Sequence, residues 1–264
     1  MLDRIRAAET DRELKDLVKQ YLASESKRIR DDILTGLLGK HSPQDVAEDL
    51  EINYTTIYKS LTGSRKSASG FSFPLSKFGD FCRMYLNSSV QQILYREEKP
   101  ITLSILMSKV AEILMSADEE LCLAILKKAE SALAGQPEAQ VGFKDDASFV
   151  ALFRKRSTEI VQDIGATTPA RNDRLHIQAA AREMATTFSS TGPLSFSTIC
   201  ASAFKYDVPI DYLLLKDYVS MNTVITRNGE VVEDESVRKI LSCLERLDEE
   251  IRIPIITDIL RLAM

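Results

Sequence analysis

The sequence predicts an all-α fold interrupted by one small β-hairpin at 223–232. Three observations lead there. Apolar residues recur at helical spacing through most of the 264 residues, as in Leu14, Leu17, Val18, Tyr21 and Leu22. Helix punctuation recurs with them: Ser, Asn or Asp before a periodic run, Gly after it. Only TVITRNGEVVED, 223–234, sets β-branched runs around a central Asn228-Gly229, a strong hairpin signal. A lone hairpin is marginal in water, so this one has to pack on helices or join other strands.

Composition narrows the setting. A hydrophobic fraction of 44% with 28% charged residues supports a sizeable core, enough for one large domain or two ordinary ones. No run approaches 18 uncharged apolar residues, so no membrane partner is expected. The charged start MLDRIRAAETDREL lacks an apolar signal core, which predicts a cytoplasmic protein. Cys82, Cys122, Cys200 and Cys243 form no CxxC pair, and His41 and His176 are far apart. Buried thiols in a reducing compartment are the expectation, with no metal and no cofactor.

Taken in order, residues 2–23 read as an amphipathic helix, an added N-terminal arm (1–24) for its own domain or a second subunit. Glu25–Leu38 is the next helix, with Ile29, Ile33, Leu34, Leu37 and Leu38 on one side. Its Lys27, Arg28 and Arg30 suit either a phosphate backbone or a solvated face. The stretch 42–63, SPQDVAEDLEINYTTIYKSLTG, reads as two short helices, 43–50 and 54–61, joined by a tight turn. Ser42 caps the first and Asn53 the second through side-chain oxygens, and Pro43 sits just inside a helix start. Val46, Leu50, Ile52, Ile57 and Leu61 converge on one seam, and Ala47 is small where the helices cross. Thr55, Tyr58 and Lys59 share an outward face with Tyr54 beside them. Such a helix suits the major groove, which is about 12 Å wide.

Without gaps, this stretch resembles the phage-repressor-like helix-turn-helix family, the XRE group that includes the Cro proteins. The family pattern is read here as Ser42, Val46-Ala47, Leu50-Glu51-Ile52, Asn53, Thr56-Ile57, Lys59 and Thr62-Gly63. Glu51 stands where the family has Gly, and a left-handed turn there would carry a penalty of about 1 kcal/mol. The resemblance extends over 25–95. SRKSASGFSF would be the backbone-tracking loop, longer than usual. PLSKFGDFCRMYLNSSVQQILY, 74–95, would be the closing helix pair, buried through Phe78, Phe81, Cys82, Tyr85 and Leu86. It implies a lambda-repressor-like DNA-binding domain at 25–98. Asn53, Tyr54, Thr55 and Lys59 then fall at base-reading positions, and Ser42, Thr56, Tyr58, Arg65 and Lys66 at phosphate-gripping ones. Tyr58 could instead cover the helix pair.

Helices at 101–115 and 117–134 form an extension (99–134), with Asp118 at a helix start. GQPEAQVGFKDD makes 135–146 the linker. The remainder, 147–264, echoes the first half. Pro193-Leu194-Ser195 matches Pro74-Leu75-Ser76, and Ile210, Leu213 and Leu214 match Val90, Ile93 and Leu94 with one residue slipped. Helices near 235–249 and 254–263 parallel 117–134, with Cys243-Leu244 against Cys122-Leu123. This reads as a diverged second copy, a regulatory or dimerisation domain. Its segment 170–192 reads as one continuous helix where the first copy has two, so it lacks a reading helix.

The charge distribution fits this division. The net charge is −5, but 52–83 carry +4. Phosphate attraction acts within a Debye length of about 8 Å, so a local basic stripe works on an acidic protein. Ser24-x-x-Lys27 has an acylase-like spacing but none of the accompanying motifs, GSRKSASG lacks the phosphate-loop order, and no catalytic constellation appears. The expected function is a sequence-specific regulator binding double-stranded DNA as a homodimer, with half-sites about 34 Å apart. The rival is a mobile-element interaction protein, antitoxin- or inhibitor-like, using the same fold on a protein partner. In either reading a protein partner or effector would act at the C-terminal half.

Overall fold

The computed structural model describes residues 1–37, 40–63, 73–136, 146–167 and 195–263. It is mostly helical, with thirteen α-helices and one two-stranded sheet among the described residues. No described helix is long and apolar enough to cross a membrane. The chain divides into two compact units, and each draws on both halves of the sequence. Unit 1 comprises 1–98, 145–153 and 187–214; unit 2 comprises 99–144, 154–186 and 215–264. The sequence had instead separated the halves at 135–146, most of which lies outside the described residues, as does 170–192.

Unit 1 opens with α1 (Leu2–Arg6) and α2 (Asp11–Leu37). The predicted break between residues 23 and 25 is absent, and the chain turns at 7–10 instead. The reason is local: the Thr10 hydroxyl accepts the Glu13 N–H at 3.2 Å, a helix-start cap. Ser24 opposes no helix, because its hydroxyl donates to the Tyr21 carbonyl within α2. Next come α3 (Pro43–Asp49) and α4 (Tyr54–Thr62). The closing region is α5 (Leu75–Phe81), a π-helical turn at Cys82–Leu86, and α6 (Val90–Tyr95). Phe78, Phe81, Cys82 and Tyr85 are buried as predicted, and Val90 and Leu94 are also buried. Leu86 is only half-buried, set against Gly36 of α2, where a Cβ would come within 2.6 Å of its Cδ2.

Two further helices complete unit 1, α10 (Phe196–Lys205) and α11 (Ile210–Leu214). α10 packs along α2, with Lys205 paired to Asp11 at 2.7 Å. Phe196 meets Phe78 edge-on, and Phe204 meets Tyr95. Both closing segments follow one path: helix, left-handed residue, short helix. The left-handed residues are Asn87 (φ 47°) and Asp207 (φ 54°), and the short helices start at Val90 and Ile210. The apolar match of 90, 93 and 94 to 210, 213 and 214 therefore sits at equivalent turns. The Pro-Leu-Ser match does not: Pro74 caps α5, whereas Ser195 caps α10, so Ser195 falls where Pro74 does. The π turn puts the extra residue in the first segment, opposite to the slip in that sequence match. Ser88 N–H reaches back six residues to Cys82, while Val208 N–H reaches back five to Ala203, so the first segment holds one extra residue.

Unit 2 contains β1 (Ile101–Thr102), α7 (Ile105–Met115) and α8 (Glu119–Ala134), then β2 (Val224–Ile225), α12 (Glu235–Arg246) and α13 (Glu249–Arg261). α9 (Asp146–Thr167) contributes its later part. The predicted helix 101–115 begins at Ile105, capped by Ser104, because Ile101 and Thr102 are taken up by a strand. That strand pairs in parallel with β2, Ile101 opposite Val224 and Thr102 opposite Ile225. β2 also turns back on itself around Gly229 (φ 84°), with Ile225 bridged to Val231. The hairpin thus finds a strand from its own chain.

The last helix starts at Asp248, not at Pro254, which lies inside it. Glu249 and Glu250 favour that start against the helix dipole. Aligning Cys122 with Cys243 equates α8 with α12, yet these two helices pack against each other. N-caps Ser104 and Asp118 instead correspond in order to Asp234 and Asp248, which equates α7 with α12 and α8 with α13. All four cysteines are buried and free.

Candidate nucleic-acid interface

α3 is short, so its start needs support from side chains. The Ser42 hydroxyl accepts the Asp45 N–H at 3.2 Å, and the Asp45 carboxylate accepts the Ser42 N–H at 3.0 Å. This capping box satisfies two amides left over by the first turn. Hydrogen bonds from the Ser42 backbone N–H and from the Ser42 side chain hold the exposed Asp45 carboxyl below its ordinary range. Tyr85 donates to Asp49 and ties α3 to the π turn, and burial pushes the Tyr85 phenol up.

The turn into α4 is left-handed at Glu51, φ 53°. The family-like pattern places Gly at this position, and the backbone takes the conformation that Gly favours in spite of the Cβ. Ile52 N–H closes the turn on the Ala47 carbonyl at 2.8 Å. Asn53 then caps α4, its Oδ1 accepting the Thr55 N–H at 2.8 Å. Gly63, φ 72°, ends the helix against Arg30; a Cβ there would come within 2.9 Å of the guanidinium carbon. α4 is therefore fixed at both ends.

Its two faces differ sharply. Ile57, Ser60 and Leu61 are buried, with Val46, Ala47 and Leu50 of the preceding helix and turn. Ile52, predicted in that seam, is only half-buried because it occupies the turn. The outer face carries Tyr54, Thr55, Tyr58, Lys59 and Thr62, all exposed. Tyr54 and Tyr58 are 48% and 49% exposed and stack with ring centroids 6.0 Å apart. Tyr58 is thus one of a solvent-facing aromatic pair and does not cover the helix pair.

The other predicted contact residues are placed less simply. Asn53 stands at the exposed start of α4, but its carbonyl oxygen already serves the cap, so a two-point contact to a base would compete with it. Ser42 is exposed while serving its own cap. Thr56 is half-buried at the start of α4. Arg65 and Lys66 lie outside the described residues. Much of the +4 of 52–83 rests on those two, and of the described cations there Arg83 lies 4.0 Å from Asp80. Lys27 pairs with Asp31, and Arg28 pairs with Glu25 and Asp32 and donates to the Ile93 and Leu94 carbonyls. Around α4 the exposed charges are mixed: Lys40 and Lys59 beside Asp45, Glu48 and Glu51.

The residues that complete this unit were not singled out from sequence. Asp211 accepts the Val90 and Gln91 N–H groups at 2.8 and 2.9 Å, and Gln91 Oε1 accepts the Ile210 N–H at 3.2 Å. No local signal marks a hydrogen bond between residues about 120 positions apart. In unit 2, an open cleft of ≈ 650 Å³ is lined by Lys109, Glu112, Ile113, Asp118, Leu121 and Leu260 among others. Comparison with protein-family models, with curated proteins and with solved structures finds no match to this chain.

Proposed function

We propose that the chain is a sequence-specific DNA-binding transcriptional regulator that reads the major groove with the outer face of α4. The observation that carries the reading is that face: Tyr54, Thr55, Tyr58 and Lys59 stand clear of a helix anchored by caps at both ends and by a buried inner side. A groove-reading helix needs side chains that project from a rigid support. Lysine reaches guanine acceptors, and aromatic and threonine carbon can meet the thymine methyl. Lys59 and, from the sequence, Arg65 and Lys66 supply charge toward phosphate.

The test is binding to random duplex DNA as a function of salt, for wild type beside Lys59→Ala and Arg65→Ala. Binding should weaken steeply with salt, and each variant should flatten the log–log slope by about one unit if the cation meets phosphate. No salt-dependent binding by wild type would sink the proposal. One observation favours a second reading, a protein partner. Asp45, Glu48 and Glu51 are exposed on the helix and turn that precede an exposed aromatic pair, and such a pair is an apt anchor for a protein surface. In that case DNA binding fails while Tyr54→Ala and Tyr58→Ala abolish capture of the partner.

A further inference from the structure

In a twofold dimer, contacts come in mates: if residue i of one copy meets j of the other, j of the first meets i of the second. Within unit 1 the same relation holds inside one chain when positions are shifted by 120. The Gln91 side chain takes the N–H of Ile210; the side chain at 91 + 120, Asp211, takes the N–H of Val90, which is 210 − 120. The short helices α6 and α11 thus meet start to start, and each is capped by the second residue of the other. Around this junction the pairs Asn87 and Asp207, Val90 and Ile210, and Leu94 and Leu214 agree in backbone or burial.

Unit 2, taken by itself, has the same kind of pairing. α8 packs on α12, and its mate α13 packs on α7. Two independent sets of reciprocal contacts are hard to obtain from unrelated segments.

We infer that the second half of the chain stands in for a second copy of the first, so that the protein is an internal pseudo-dimer working as a monomer on one asymmetric DNA site. The last part rests on the DNA-binding reading; the first does not. The surface of α5 and α6 on which an identical partner would sit is already covered by Phe196, Phe204 and Asp211. A homodimer through that surface would have to expel them and leave the Asp211 carboxylate without its two amides. The second half also lacks a sequence recognisable as a reading helix, so one chain presents one reading surface.

Three measurements on the full chain test this. Sedimentation equilibrium without DNA should give 29.6 kDa at every concentration; a particle of twice that mass overturns the inference whether or not DNA is bound. Exchange of the mates comes next. Gln91→Asp alone sets two buried carboxylates face to face and should lower the unfolding midpoint. Adding Asp211→Gln, which restores one carboxylate and one amide in swapped places, should recover most of that loss. A double variant no better than the sum of its singles denies the equivalence. Finally, sites selected from random duplexes should lack dyad symmetry. A palindrome overturns the asymmetric-site clause, whereas failure to select any sequence removes the DNA reading and leaves the mass and exchange results standing.

Discussion

Two buried carboxylates, one in each unit, meet the same problem with opposite outcomes. Asp211 in unit 1 is wholly buried and is served by backbone N–H groups at a helix start. Burial pushes its carboxyl up to about 6, and the Gln91 and Val90 amides recover only part of the shift. Glu245 in unit 2 is also buried, but the Arg156 guanidinium lies 2.6 Å away, with Tyr218 donating to the other oxygen. Burial alone would push Glu245 up; the Arg156 charge and hydrogen bond, with Arg252 and Lys155 further off, outweigh it and hold the group below its ordinary range. Dipoles solvate a buried anion in part, whereas a full positive charge reverses the balance. The two units should therefore respond to pH in opposite senses.

The largest effect comes from removing the cation. Arg156→Met leaves Glu245 buried against Tyr218, and a broken buried pair typically loses about 3–5 kcal/mol. Arg156 also stacks over the Tyr218 ring at 4.8 Å, so packing is lost with the charge. Urea unfolding near neutral pH should show a loss of that size. Adding Glu245→Leu should restore most of it, because the unpaired charge, not the missing contact, is the larger part. If the double variant is as unstable as the single, the pair is not what stabilises this cluster.

The next effect is smaller and depends on pH. The Asp211 carboxyl is raised in the folded chain, so its stabilisation is full below its unfolded value, 3.8, and is lost as pH rises through about 6. At 1.36 kcal/mol per unit, a shift of roughly two units amounts to about 3 kcal/mol. Asp211→Asn removes the titration. The wild-type advantage over Asp211→Asn, from chemical unfolding, should shrink by about that amount between acid and neutral conditions. An advantage that grows with pH would mean that the amides dominate over burial.

What the sequence revealed and what it hid follow from the range of each interaction. Ser42 and Asn53 were readable as caps, and Asp118 as a helix start, because each acts on an amide two or three residues ahead. The buried seam of Val46, Leu50, Ile57 and Leu61 was readable from spacing, and so were the exposed positions of Tyr54, Thr55, Tyr58 and Lys59. Thr10 carried a helix-start signal that could have placed the break correctly, but the apolar stripe running past it masked that signal. The strand at Ile101 was unreadable because two residues become a strand only beside Val224. The division into units was hidden for the same reason: Asp211 belongs with Val90 through contacts that no window of neighbouring residues contains. The π turn at Cys82–Leu86 has no composition of its own, and the sequence match, which placed the extra residue in the second segment, gave no sign of it.

The smallest effect isolates burial from the chemistry of capping. Asp45, like Asp211, accepts a backbone amide at a helix start, but it stands in water. Its carboxyl is lowered by the Ser42 backbone and side-chain hydrogen bonds, the reverse of Asp211. A lowered group contributes stability above its unfolded value and loses it as pH falls, so the wild-type advantage over Asp45→Asn should fade on acidification below about pH 4. The change should be small beside that at Asp211, because solvent screens an exposed pair. It should appear first as fraying of α3, read by amide exchange at Val46 and Ala47, before it registers in global unfolding. If acidification instead widens the gap between wild type and Asp45→Asn, capping amides alone cannot be what lowers this carboxyl, and the contrast with Asp211 cannot be assigned to burial.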